Sequence, residues 1–146
     1  MMAGHPWGDW LEVGDAALDD DHHLQMRLVS ALIDALEEGR PWLAHRLAAH
    51  LRDGSTVHFG EEEQRMRRTS DPERLEHRKE HDSLLARLEE IIGFVDGDDA
   101  APAIAASMDF RSALAGHIAS SDRRLAARER TFFATQADMP HQLQDV

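Results

Sequence analysis

Ten histidines occur in this chain of 146 residues, against three tryptophans, five phenylalanines and no tyrosine or cysteine. Five of them, His22, His58, His77, His81 and His117, stand where the surrounding apolar spacing points inward, and Glu62 joins them. A buried imidazole needs partners for two ring nitrogens, and a buried carboxylate is costly without a compensating charge. One such residue would be an ordinary core polar group. Five imidazoles and a carboxylate are hard to satisfy with one another and easy to satisfy with metal. His58-x-x-x-Glu62 and His77-x-x-x-His81 are i, i+4 pairs, neighbours on one helix face. Asp122 lies five residues after His117, a rotation of about 140° in a regular helix. It therefore approaches from the flank, or the helix widens locally by an i→i+5 turn. Seven side chains are too many for one tetrahedral zinc, and two carboxylates are too few for a calcium or magnesium cage. The set suits two transition ions sharing bridging carboxylates: iron, with manganese, cobalt or zinc as alternatives.

Such a site exists only if the elements carrying it bring the ligands to one height. His22, Met26, Val29, Ile33 and Leu36 step by four and three, a helical stripe facing a core. Asp19, Asp20 and Asp21 stand at its start, where carboxylates suit the helix dipole, and Gly39 ends it. Pro41 opens a second helix with Leu43, Leu47, Leu51, His58, Glu62 and Met66 along one side. Asp71-Pro72 starts a third, where His77, His81, Leu84, Leu88, Ile91 and Val95 keep the clearest period. After Pro102 a fourth stripe runs through Phe110, Leu114, His117, Ser121 and Leu125. The prediction is an all-α protein, an antiparallel up-down-up-down four-helix bundle over residues 19–135. An irregular N-terminal arm, 1–18, precedes it, with Trp7, Trp10, Leu11 and Val13 to dock on the bundle. A loose C-terminal tail, 136–146, follows.

The turns then act as rulers. Seventeen residues separate His22 from Gly39, and seventeen separate Pro41 from His58. At the helical rise, both histidines lie about 25 Å from that turn. Glu62 and His81 lie eight and nine residues from Ser70 and Pro72; His81 and His117 lie sixteen and fifteen from Gly97 and Pro102. Each hairpin returns its ligands to the same layer.

The remaining composition excludes whole classes. Without cysteine there are no disulfides, thiolate metal sites or thiol nucleophiles. A net charge of −12 argues against a nucleic-acid or anionic-membrane partner, which needs a basic face. No apolar run nears the roughly 18 residues of a spanning helix. The N-terminus lacks the basic start and apolar stretch of a signal peptide, so the cytoplasm is the expected location.

The ordered motifs resemble the bacterial hemerythrins. Trp7-x-Asp9-x-Leu11-x-Val13-Gly14-x-x-x-Leu18-Asp19-x-x-His22 is similar to their N-terminal signature, and His58-Phe59-x-x-Glu62-Glu63-x-x-Met66 to their second motif. His77-x-x-x-His81 and His117-Ile118-x-x-x-Asp122-x-x-Leu125 complete a resemblance over about residues 7–128. It implies that His77, His81 and His117 hold one iron, and His22 and His58 a second. Glu62 and Asp122 bridge the two, with an oxo or hydroxo group as a third bridge. The two-histidine iron is then open and takes O₂, or small anions such as azide. His22 rather than His23 is the ligand, since neighbours cannot share a face. Glu61 and Glu63 are expected to face solvent.

Phe59, Leu114 and Ile118 are the candidates for an apolar O₂ pocket. The chain departs from the family twice, with Gln25 where a leucine is usual and Ala113 where a tryptophan is common. Gln25 should stand about one turn from His22, with its amide beside the open iron, and Ala113 should widen the path to the same iron. The resemblance implies reversible O₂ binding as carrier, store or sensor, a sensor needing a separate protein partner. The alternative is a di-iron enzyme acting on peroxide, nitric oxide or O₂, toward which the two departures weigh.

Overall fold

The structure is a computed structural model that describes residues 11–138. Trp7, Asp9 and Trp10, and most of the expected tail, lie outside the described residues. The chain folds as α1 (Ala16–Glu37), α2 (Pro41–Arg68), α3 (Arg74–Val95) and α4 (Ala100–His117). A π-helical turn, Ile118–Asp122, then leads directly into α5 (Arg123–Ala137). Each of the first four helices packs on its sequence neighbours, and α4 closes the ring against α1. This is the expected all-helical four-helix bundle. Among the described residues no helix is long and apolar enough to cross a membrane.

Local chemistry sets the helix ends, and it departs in places from the sequence expectation. The first helix begins at Ala16, because Asp15 rather than Asp19–Asp21 caps it, its carboxylate accepting from the Leu18 amide at 3.1 Å. Asp19 instead reaches back and accepts from the Val13 amide at 2.8 Å, folding the arm so that Leu11 and Val13 are buried. Gly39 ends α1 at φ +69°, with the Arg40 amide donating to Ala35 O, a left-handed stop that glycine makes at no steric cost. Asp99 caps α4 through the Ala101 amide. The continuous α4–π–α5 rod carries helix to Ala137, two residues into the segment expected to be loose.

The buried stripes of α1, α3 and α4 are those read from the sequence. In α2 the buried upper positions are Ala44 and Ala48, while Leu43 and Leu47 are only partly covered. The small side chains turn toward the core there and the leucines seal its edge. Below the histidine layer, arginines close the bundle. Arg65 pairs with Glu129 and Asp15, and Arg128 grips Asp71 with Nε 3.0 Å from each carboxylate oxygen. Arg130 donates to Val13 O. These pairs tie α5 and the arm to the ends of α2 and α3.

The α2–α3 connection contains one strained residue. Ser70 sits at φ +51° as the left-handed stop of α2, with the Asp71 amide donating to Met66 O. An L side chain in this region costs about 1–2 kcal/mol, part of which the greater unfolded-state freedom of glycine offsets. The Ser70→Gly protein is expected to be about 0.5–1 kcal/mol more stable, a rise of roughly 2 °C in Tm. Thermal melts of the two proteins check this; an equal or lower Tm for the variant would mean that the turn is unstrained.

Candidate metal centre

All seven predicted residues meet in one buried layer. Two overlapping sets form, each with its ligand atoms within 4.8 Å of one another: Glu62, His77, His81, His117 and Asp122 in the first, His22, His58, Glu62 and Asp122 in the second. The three-plus-two division of the imidazoles is thus a property of the geometry. Glu62 Oε1 lies 3.1 Å from His77 Nε2 and 2.9 Å from His81 Nε2, while its Oε2 lies 2.6 Å from His58 Nε2 and 3.4 Å from His22 Nε2. Asp122 divides its oxygens in the same way, Oδ1 2.9 Å from His77 Nε2 and 3.1 Å from His117 Nε2, Oδ2 2.9 Å from His22 Nε2. Each carboxylate therefore offers one oxygen to each set.

Asp122 reaches this position through the π turn. The Arg123 amide bonds to Ile118 O, an i→i−5 step that inserts an extra residue between His117 and Asp122. Of the two alternatives left open by the five-residue spacing, the widened helix is the one observed. It brings both side chains of one rod into the layer.

The electrostatics of the layer follow from its burial. Desolvation by itself would raise the Glu62 carboxyl, but His22, His58, His77 and His81 hold it well below the ordinary carboxylate range. For Asp122, desolvation and the Glu62 charge raise the carboxyl, while His117, His22 and His77 pull it strongly down. Burial depresses the imidazoles, yet the two carboxylates push His22 and His77 up to about 9 and also raise His58 and His117.

Only some of these contacts are hydrogen bonds: Glu62 bonds with His22, His77 and His81. His58 Nε2, His117 Nε2 and both Asp122 oxygens have close neighbours but no partner with hydrogen-bond angles. These unpartnered atoms crowd around common points without being aimed at one another. Buried polar atoms are nearly always satisfied in folded proteins, and a cation at each point would satisfy them. The donors are nitrogen and oxygen without sulfur, which suits iron, manganese, cobalt or zinc.

The outer edges of the imidazoles show what sequence reasoning missed. His58 Nδ1 lies 3.0 Å from Asp21 Oδ2, His81 Nδ1 2.8 Å from Glu63 Oε2, and His117 Nδ1 2.7 Å from Glu80 Oε1. Ser121 also donates to Glu80 Oε1, at 2.6 Å. A carboxylate only accepts, so a proton sits on Nδ1 and Nε2 is the nitrogen left to face the interior, where a metal would take its lone pair. Glu63 therefore does not simply face solvent; Glu61 is exposed, as expected. A sequence signal for all three exists. Each carboxylate is adjacent to a ligand on its own helix and reaches a ligand on the next: Asp21 beside His22, Glu63 beside Glu62, Glu80 beside His81.

The other singled-out residues divide. Phe59, Leu114 and Ile118 are buried, and the Phe59 ring stacks on His81 at 4.1 Å between centroids. His23 faces Glu12, 3.4 Å away, outside the ligand sets. Gln25 is buried one turn from His22, where its amide nitrogen donates to Ser55 Oγ at 2.9 Å. Ala113 does not border the two-imidazole half. It lines a groove of the α3–α4 seam with Glu80, Arg87, Gly116 and His117, because α4 turns that side of His117 toward α3.

Comparison with known proteins agrees with this geometry. Residues 13–128 match the family model described as the hemerythrin HHE cation binding domain. A bacteriohemerythrin of Ralstonia nicotianae is 35% identical over 85 residues, covering 58% of this chain. The matched part spans 59% of the length of that curated relative. No solved structure matches the chain.

Proposed function

The chain belongs to the hemerythrin family, and from that premise we propose that it holds two iron ions and binds O₂ reversibly at one of them, as carrier, store or sensor. The observation that carries the reading is the division of the site: three imidazoles against two, with Glu62 and Asp122 each giving one oxygen to either side. His77, His81 and His117 would hold one ion, and His22 and His58 the other, with an oxo or hydroxo group as a further bridge. The side with fewer protein donors keeps a position for an external ligand, the mark of a reactive rather than structural site. Iron bound there supplies electrons to O₂ and takes them back.

The chain's own residues do the rest. Asp21, Glu63 and Glu80 hold three of the imidazoles in orientation and in the tautomer that presents Nε2 inward. Phe59, Leu114 and Ile118 exclude water from the layer, which slows loss of the ligand as a solvated anion. A reading as an enzyme acting on peroxide, nitric oxide or O₂ draws on one feature, the buried polar pair Gln25–Ser55 close to the two-imidazole half.

Metal analysis with optical spectra under nitrogen, air and renewed nitrogen tests the proposal. Two irons per chain and a visible charge-transfer band that comes with air and leaves with nitrogen are expected. A chain that loads iron but bleaches irreversibly while consuming peroxide would make the enzyme reading the correct one. A chain that takes up no iron would overturn both.

A further inference from the structure

The layer one turn above the ligands is built asymmetrically. Three residues from His22 and His58, on the side of the α1–α2 turn, stand Gln25 and Ser55; at the same height, three residues from His81 and His117, stand Leu84 and Leu114. All four are buried. The three-imidazole half is thus roofed by leucines, and the two-imidazole half by an amide and a hydroxyl bonded at 2.9 Å. Such a pair has no structural need to be polar, since leucine and alanine would fill the same volume without desolvating an amide.

The amide is not used up. Gln25 Nε2 donates one hydrogen to Ser55, and its Oε1 is buried without a partner, on a residue only 4% exposed. Turned about its last bond, the amide would give its oxygen to the Ser55 hydroxyl and leave both N–H groups over. In either orientation at least one amide N–H is left over, a donor for a ligand that accepts. A cavity of about 50 Å³ in the α1–α2 seam connects the pair outward, lined by Asp21, Leu24, Gln25, His50, Ser55 and His58. His50 and Leu24 are exposed. That volume admits a water or a molecule of three or four atoms and excludes organic substrates.

We propose that Gln25, braced by Ser55, is a specificity-determining contact that favours small ligands able to accept a hydrogen bond at the two-imidazole half of the site. Azide and other small anions gain from it; nitric oxide, a poor acceptor, does not. The inference rests on the reading of the layer as a di-iron centre, and it adds what that centre selects. Ser55 acts by position, fixing the amide so that its free end is not lost to rotation.

Azide titration of the oxidised, iron-loaded protein reads the contact directly. A hydrogen bond to a charged ligand corresponds to about tenfold or more in affinity. Gln25→Leu, of similar volume, is expected to weaken azide at least tenfold, and Ser55→Ala by a smaller factor, while nitric oxide affinity of the reduced protein stays within twofold in both. Iron content and the spectrum of each protein are measured alongside. Two irons with unchanged azide affinity in Gln25→Leu would overturn the inference and leave the di-iron reading standing. A parallel loss of azide and nitric oxide would also overturn it, showing a pocket that had collapsed. Failure of the parent chain itself to load two irons would remove the reading and the inference together.

Discussion

Replacing Glu62 by alanine is expected to abolish loading of two metal ions and to leave less than one per chain. Four of the five imidazoles approach this one carboxylate, two on each oxygen. Among the described residues the one other that spans both halves is Asp122, which touches His22, His77 and His117. Without Glu62 each half loses an oxygen donor and the two halves lose their main link. Stability falls as well. Removing one partner from a buried charged cluster typically costs about 3–5 kcal/mol, and the binding energy of the metal is lost in addition. Glu62→Gln separates the two effects, keeping the volume while removing the charge. It should fold with native helicity and still fail to hold the second ion. Metal analysis together with circular dichroism checks both variants. A glutamine variant with two irons and the parent spectrum would take Glu62 out of the site.

Metal-free and metal-loaded protein should respond to pH in opposite directions between about 6.5 and 9. In the metal-free chain, Asp122 and Glu62 push His22 and His77 up to about 9 from 6.5. A raised folded-state value gives stabilisation that is complete below 6.5 and lost as pH climbs through 9, on the order of 3 kcal/mol for each histidine. The carboxylates add stabilisation that is present above their ordinary values near 4 and fades only in strong acid, since both are held low. Metal requires the reverse charge state, neutral imidazole with ionised carboxylate. Loading at about pH 7.5 should therefore release at least about two protons per chain, those of His22 and His77, besides any given up by a bridging water. Apparent affinity should climb toward pH 9 and drop steeply in acid. Denaturation midpoints of chelator-stripped and loaded protein at pH 6 and pH 9, with proton release followed by an indicator dye, check this. Parallel pH profiles for the two forms would show that the same imidazoles do not serve both protons and metal.

The bundle and the candidate ligands were legible in the sequence because both depend on short-range regularities. A helix fixes which residues share a face, and a tight turn fixes how far along the next helix the same height recurs. The candidate ligands His22, His58, Glu62, His77, His81 and His117 follow from the period, Asp122 stands off it, and all seven meet in one layer. Helix ends were less secure, since caps compete locally: Asp15 took the place expected of Asp19–Asp21 because Asp19 had a better partner in the Val13 amide. Contacts across the seams needed the tertiary structure. Whether Glu63 meets water or His81 depends on the rotation of α2 against α3, which the period of α2 alone does not contain. The rotation of α4 against α3 likewise set Ala113 beside Glu80 and His117 rather than the two-imidazole half. The five-residue step to Asp122 allowed two geometries in sequence. Packing settled it: the π turn lets one continuous rod give both His117 and Asp122 to the layer while α5 docks Arg128 on Asp71 and Arg130 on Val13 O.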